Sequence, residues 1–175
     1  TGKAADPCNA REIARQVMTV AVIDYGAGNL KSAAKALAHA ATETGDKVVV
    51  TADADVIRKA DQIVLPGVGA FADCMAGLNA LVGMRAMLEE KVLKGGTPFL
   101  GICVGMQMLF ERGLEHGTHA GLGWFKGEVR MIAPADATLK IPHMGWNRLR
   151  LKQKNSPLLH DVKDGDFVYF VHSYA

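Results

Sequence analysis

From Met18 onward, short runs of β-branched and aliphatic residues alternate with stretches in which apolar residues recur three and four apart. Residues 19–24, 48–50, 62–65 and 97–102 read as strands. Leu30, Ala33, Ala34, Leu37 and Ala38 mark a helix after the first strand. Asp53 opens a short helix over 53–60, and residues 72–81 and 84–93 form two more, whose Met75, Met84 and Met87 fall on apolar faces as core filling. Helical spacing resumes at Met106, Leu109 and Phe110. Strands alternating with helices in this way predict an α/β fold, a doubly wound, mostly parallel sheet with crossovers on both faces. After Gly113 the character changes. Residues 121–124, 129–132, 138–141, 147–151 and 167–172 are short, β-rich and separated by Gly, Pro, Asp and Asn, which predicts hairpins or a meander added to the parallel core.

In such sheets ligands sit at the carboxyl ends of the strands, which brings the loops 26–29 and 66–71 and the turn at Cys103 to one edge. That turn reads Gly101-Ile102-Cys103-Val104-Gly105, the G-x-nucleophile-x-G form of a sharp strand-to-helix turn, here with a thiol as nucleophile. An isolated cysteine is usually a core residue, but the flanking glycines and the change from strand to helix favour the nucleophile. A helix N-terminus presents unpaired N–H groups and a partial positive charge, which favour a thiolate and can hold a developing oxyanion. The glycines of Gly67-Val68-Gly69 let a second backbone approach closely, a natural other half of an oxyanion site. Gly26-Ala27-Gly28 lacks the third glycine of the dinucleotide fingerprint and reads as a tight turn. His143 and His172 lie downstream near strand ends, and on spacing alone either could be the base a cysteine needs.

Composition narrows the function. The 175 residues, 49% of them hydrophobic, suffice for one domain with a substantial core. A net charge of +2, from 20 basic and 18 acidic residues spread along the chain, points to neither nucleic acid nor an anionic membrane, and the longest apolar runs are too short to span one. Cys8, Cys74 and Cys103 have no metal-ligand spacing and fit a reducing, cytoplasmic setting. His116 and His119 lack a third ligand, so no metal or cofactor is expected. Residues 1–17 read as an N-terminal extension outside the fold, with Asn9 and Glu12 able to cap a short helix over 10–17, and 18–175 as the domain.

Read together, 101–107 and Leu65-Pro66-Gly67-Val68-Gly69-Ala70-Phe71 resemble the class I (triad) glutamine amidotransferases, of flavodoxin-like fold. The segments 22–30, Pro142-His143-Met144-Gly145-Trp146-Asn147 and Phe170-Val171-His172-Ser173-Tyr174 narrow the resemblance to the family of glutaminase subunits of imidazole glycerol phosphate synthase. The resemblance runs from about Met18 to Ala175. It implies that the Cys103 thiolate attacks the glutamine side-chain amide, that ammonia leaves, and that water hydrolyses the thioester to glutamate. It implies an oxyanion hole from Gly67, Val68 and Gly69 with the Val104 amide, and substrate positioning by Gln107, Glu115, Ser173 and Tyr174. It further implies a (β/α)8 cyclase partner that receives the ammonia in histidine biosynthesis, with Asn29, Met144 and Trp146 at the interface. Activation by that partner through a rearrangement of 67–69 is an expectation of the same kind.

Family members end in a strand carrying an F-H-P-E-type motif whose His is the general base and whose Glu orients it. The sequence reaches Ala175 before any such motif, so the residues given are expected to be part of a longer, C-terminally truncated chain, inactive by themselves. Two other functions compete. One is another Cys-nucleophile α/β hydrolase with His143 or His172 as base; the other is a non-catalytic module that docks a partner through Met144 and Trp146.

Overall fold

The computed structural model describes residues 16–136, 138–153 and 156–175; the expected extension over 1–17 and its short helix fall outside them, except for residues 16 and 17. Four parallel strands form the central sheet in the order β2-β1-β3-β4, with β1 Thr19–Ile23, β2 Lys47–Thr51, β3 Gln62–Gly67 and β4 Phe99–Cys103. Helices α1 Leu30–Ala41, α2 Ala54–Lys59, α3 Phe71–Ala80 and α4 Met84–Leu88 provide the crossovers, α4 continuing into a π-helical turn, Glu89–Lys94.

The two-residue period of the strands sorts their side chains to opposite faces. Val20, Val22 and Val64 pack with Leu30 and Leu37 of α1 on one face. Ala21, Ile23, Ile63 and Leu65 face the other way, against Ile57, Phe71, Cys74, Met75, Leu78, Met84, Met87 and Leu88 from α2, α3 and α4. All three methionines are thus core, as their spacing implied. Asp53 caps α2 by accepting from Asp55 N at 2.8 Å.

The helix expected from Met106 through Phe110 is shorter than its pattern. It makes one turn, α5 Val104–Gln107, and Phe110 already opens β5 Phe110–Gly113. Propagation stops because the carbonyls that would continue it are taken from afar: Leu122 N donates to Met108 O at 2.8 Å, Trp124 N to Leu109 O at 2.8 Å and Gly123 N to Phe110 O at 3.1 Å. Residues 121–124 spend their amides there and form no strand. β5 pairs antiparallel with β6 His119–Ala120 and parallel with β7 Phe125–Val129.

The added β-rich part is present but displaced from its expected bounds. β8 His143–Arg148 pairs antiparallel with β9 Phe167–His172, the latter on its predicted bounds. Residues 138–141 form no strand. Asp136 folds the chain back by accepting from Thr138 N at 2.9 Å and Thr138 Oγ1 at 2.7 Å, which also holds its carboxyl below the usual range. Residues 173–175 pair with 130–132 through Ile132 N to Ser173 O at 2.9 Å and reciprocal Arg130–Ala175 bonds at 3.0 Å.

The start of α3 is capped from a distance. Its N-cap, Ala70, has no side chain to offer, and the Phe71 N–H instead donates to Glu115 Oε2 at 2.8 Å. Glu115→Ala is therefore expected to lower stability by about 1 kcal/mol, while Glu115→Gln, whose amide oxygen still accepts, recovers most of it. Urea midpoints of the two variants check this.

Candidate active site

The backbone at Cys103 is shaped by the glycines on either side. A Cβ on Gly105 would overlap the Leu65 carbonyl of β3, and one on Gly101 would stand 2.6 Å from Met106 Cα. Only bare backbone lets α5 lie this close to β3 and β4. The chain turns through Cys103 itself at φ 55 and ψ −121, a conformation costing a non-glycine residue about 1–3 kcal/mol. The strain leaves the thiol exposed at the carboxyl end of β4. β3 runs alongside in register, Gly67 opposite Cys103, so the 67–69 backbone borders the same spot. Gly69 has φ 106, which favours glycine.

Around the thiol is a cavity of about 430 Å³ lined by Val68, Gly69, Cys103, Val104, Gln107, Glu115, Ser173 and Tyr174, with Pro142, Val171 and His172. It gathers the residues singled out for catalysis, oxyanion binding or substrate contact except Gly67, which borders it through the β3–β4 pairing, and the candidate base His143, which lies outside it. Gln107 is held by its Nε2 donating to Tyr174 O at 3.1 Å, and Glu115 by the Phe71 amide, so both carry one fixed hydrogen bond and keep an oxygen for a ligand. A larger groove of about 970 Å³, bounded by Ile132, Leu139, Ile141 and Met144, shares Pro142 and His172 with this cavity but does not contain Cys103.

The two candidate bases are committed to each other. His143 and His172 are register partners, with His143 Nδ1 3.2 Å from His172 Nε2. His172 Nδ1 faces Tyr174 O at 3.2 Å, and a carbonyl only accepts, so Nδ1 carries the proton and Nε2 accepts from His143. His143 Nε2 then accepts from Asn147 Nδ2 at 2.7 Å. Among the described residues lining the cavity His172 is the one imidazole, and both of its nitrogens are bonded elsewhere.

Met144 and Trp146 lie on the outer face of β8, 60% and 67% exposed. The Trp146 ring meets Tyr169 of β9 edge-on at 5.6 Å. Asn29 caps α1 by accepting from Ser32 N at 3.3 Å. Sequence reasoning missed the capping work of Glu115. The signal was there: a helix beginning after Ala70 leaves orphan N–H groups that need an acceptor from elsewhere in the chain.

Residues 21–175 match the family model described as glutamine amidotransferase class-I. The chain is 55% identical over 159 residues to imidazole glycerol phosphate synthase subunit HisH of Rhodospirillum rubrum, covering 90% of this chain and 74% of that one. It is 53% identical over 162 residues to the HisH subunit of Brucella melitensis, covering 90% and 74%, and 54% identical over 157 residues to that of Zymomonas mobilis, covering 90% and 71%. A crystal structure of a glutamine amidotransferase superposes with a TM-score of 0.62 at 14% identity, over 87% of this chain and 70% of that one, a likeness of fold. With a strained cysteine turn between two glycines, a glycine-rich second strand end and this level of identity, the chain belongs to the class-I glutamine amidotransferases and, within them, to the HisH subunit family of imidazole glycerol phosphate synthase.

Proposed function

We propose that this chain hydrolyses glutamine to glutamate and ammonia as the glutaminase subunit of an imidazole glycerol phosphate synthase, in the cytoplasm, and delivers the ammonia to a cyclase subunit in histidine biosynthesis. The observation that carries the reading is convergence: a strained, exposed Cys103 shares one cavity with the 68–69 backbone and with Gln107, Glu115, Ser173 and Tyr174. In the reaction Cys103 Sγ adds to the side-chain carbonyl carbon of glutamine. The C–N bond then breaks, ammonia leaves with a proton, and water cleaves the thioester, restoring the thiolate and releasing glutamate.

The oxyanion of each tetrahedral intermediate would accept from the Val104 amide and from the backbone of Gly67, Val68 and Gly69. The free oxygen of Glu115 suits the α-ammonium of glutamine, with Gln107, Ser173 and Tyr174 completing the contact. The bonding of His143 and His172 leaves neither free to carry the proton to ammonia, which weighs against the hydrolase reading that would use one of them. Gly69, at φ 106, gives the oxyanion backbone the freedom that activation by a partner would exploit.

The cyclase would dock on the face of β8 that carries Met144 and Trp146, with Asn29 also at the interface. Exposed Met and Trp beside Tyr169 have the composition of an interface centre.

The experiment is glutamate production by the full-length chain with its cyclase partner and the partner's nucleotide ligand. Cys103→Ala should abolish it, and a diazo-ketone glutamine analogue should label Cys103 in the wild type alone. Absence of Cys103-dependent turnover in the wild-type complex would overturn the reading. Trp146→Ala should weaken the complex at least about tenfold in a titration of the two subunits, with the isolated fold unchanged by circular dichroism.

A further inference from the structure

Beneath the oxyanion backbone lie two buried hydrogen-bond donors that take no part in the chemistry described so far. Tyr25, 5% exposed, donates its hydroxyl to Pro66 O at 2.7 Å. Cys74 of α3, fully buried, directs its thiol at Val68 O, 3.6 Å away. The Tyr25 ring reaches this place by crossing α3 at Gly77, where a Cβ would stand 2.6 Å from the Tyr25 carbonyl.

The two donors hold the carbonyls on either side of the Gly67–Val68 peptide. In a trans peptide the C=O and the following N–H point in opposite directions. Aiming Val68 O down at Cys74 therefore turns the Gly69 N–H away from the core, on the side where Gly69 lines the Cys103 cavity. Pro66 O is fixed below in the same way, so the Gly67–Val68 peptide between them is anchored at both ends.

Packing alone would be met by Phe in place of Tyr25, because a buried hydroxyl costs free energy unless it is bonded. Here it is bonded to the loop, and its oxygen also lies 3.8 Å from the Met108 sulfur. Both groups stay protonated. Burial pushes the Tyr25 phenol far above its usual range and raises the Cys74 thiol.

We infer that Tyr25 and Cys74 are positioning residues that anchor the 66–69 backbone at two carbonyls, Tyr25 at Pro66 O and Cys74 at Val68 O, so that its rearrangement on activation ends in the orientation an oxyanion hole requires. The inference rests on the glutaminase reading above. A loosened loop leaves glutamine binding and thiol reactivity intact and weakens only the steps that pass through a tetrahedral oxyanion.

The test uses the full-length chain in complex with the cyclase and its nucleotide ligand, and compares Tyr25→Phe, Cys74→Ala and Cys74→Ser with the wild type. Removing a direct oxyanion donor typically costs about 100- to 1,000-fold in kcat, so losing a group that orients one should cost on the order of tenfold. Tyr25→Phe and Cys74→Ala should each lower kcat by about that factor with KM within about twofold. Cys74→Ser, which keeps a donor, should recover most of the loss. The rate of iodoacetamide alkylation at Cys103, followed on the peptide that contains it, passes through no oxyanion and should be unchanged. Unaltered kcat in Tyr25→Phe and Cys74→Ala, or equal losses in Cys74→Ala and Cys74→Ser, would overturn the inference, as would a fall in alkylation rate matching that in kcat. Should Tyr25→Phe not fold, the Cys74 pair decides alone. A wild-type complex without Cys103-dependent turnover would count against the glutaminase reading instead.

Discussion

At the carboxyl end of the sheet, the backbone of α5 rests directly on that of β3, with the Leu65 carbonyl where a Cβ of residue 105 would be. That approach sets the direction in which the chain leaves β4, and hence the conformation of Cys103. Everything else in the cavity is arranged around the thiol held there: β3 brings 67–69 alongside in register, α3 sets Cys74 beneath them, and the pairing of 173–175 with 130–132 carries Ser173 and Tyr174 to the opposite wall. The strain at Cys103, about 1–3 kcal/mol, is sustained by the well-packed layers of Ile23, Leu65, Phe71 and Leu78 under the turn.

The parallel core was readable from the chain because its signals are local. Short β-branched and aliphatic runs gave β1 to β4, helical spacing gave α1, α3 and α4, and Asp53 marked the start of α2. The nucleophile turn was equally local, since both glycines sit within two residues of Cys103. What escaped were features decided at long range. The apolar spacing of Met106, Leu109 and Phe110 is that of a helix, yet amides from 122–124 capture the carbonyls after one turn. Residues 138–141 have strand composition but are turned by Asp136. Glu115, read for substrate binding, also finishes a helix forty-four residues earlier in the chain, and no short window contains both ends of that bond.

The histidines show why spacing cannot by itself assign a base. His143 and His172 are each placed at strand ends downstream of the cysteine, as a base would be. The antiparallel register of β8 and β9 sets them face to face, and the proton order runs one way, from Asn147 to His143 to His172 to the Tyr174 carbonyl. Tyr174 O also accepts from Gln107, so this chain of bonds ends on the same atom that holds a proposed substrate contact. Its role in the structure is to rigidify the wall of the cavity.

The cavity is thus built from two kinds of part. Its near side is backbone, the Cys103 turn and the 67–69 segment, where amide direction matters more than side-chain identity. Its far side is side chains: Gln107 and Glu115, each tied by one hydrogen bond that leaves an oxygen free, with Ser173 and Tyr174 from the β-rich addition. Charge that develops on a carbonyl oxygen is best met by fixed dipoles, because a mobile donor must first be reoriented at a free-energy cost. A glycine-rich backbone supplies closeness at the expense of rigidity, and the buried hydroxyl and thiol of Tyr25 and Cys74 offset that loss by binding the two carbonyls that the glycines leave free to turn.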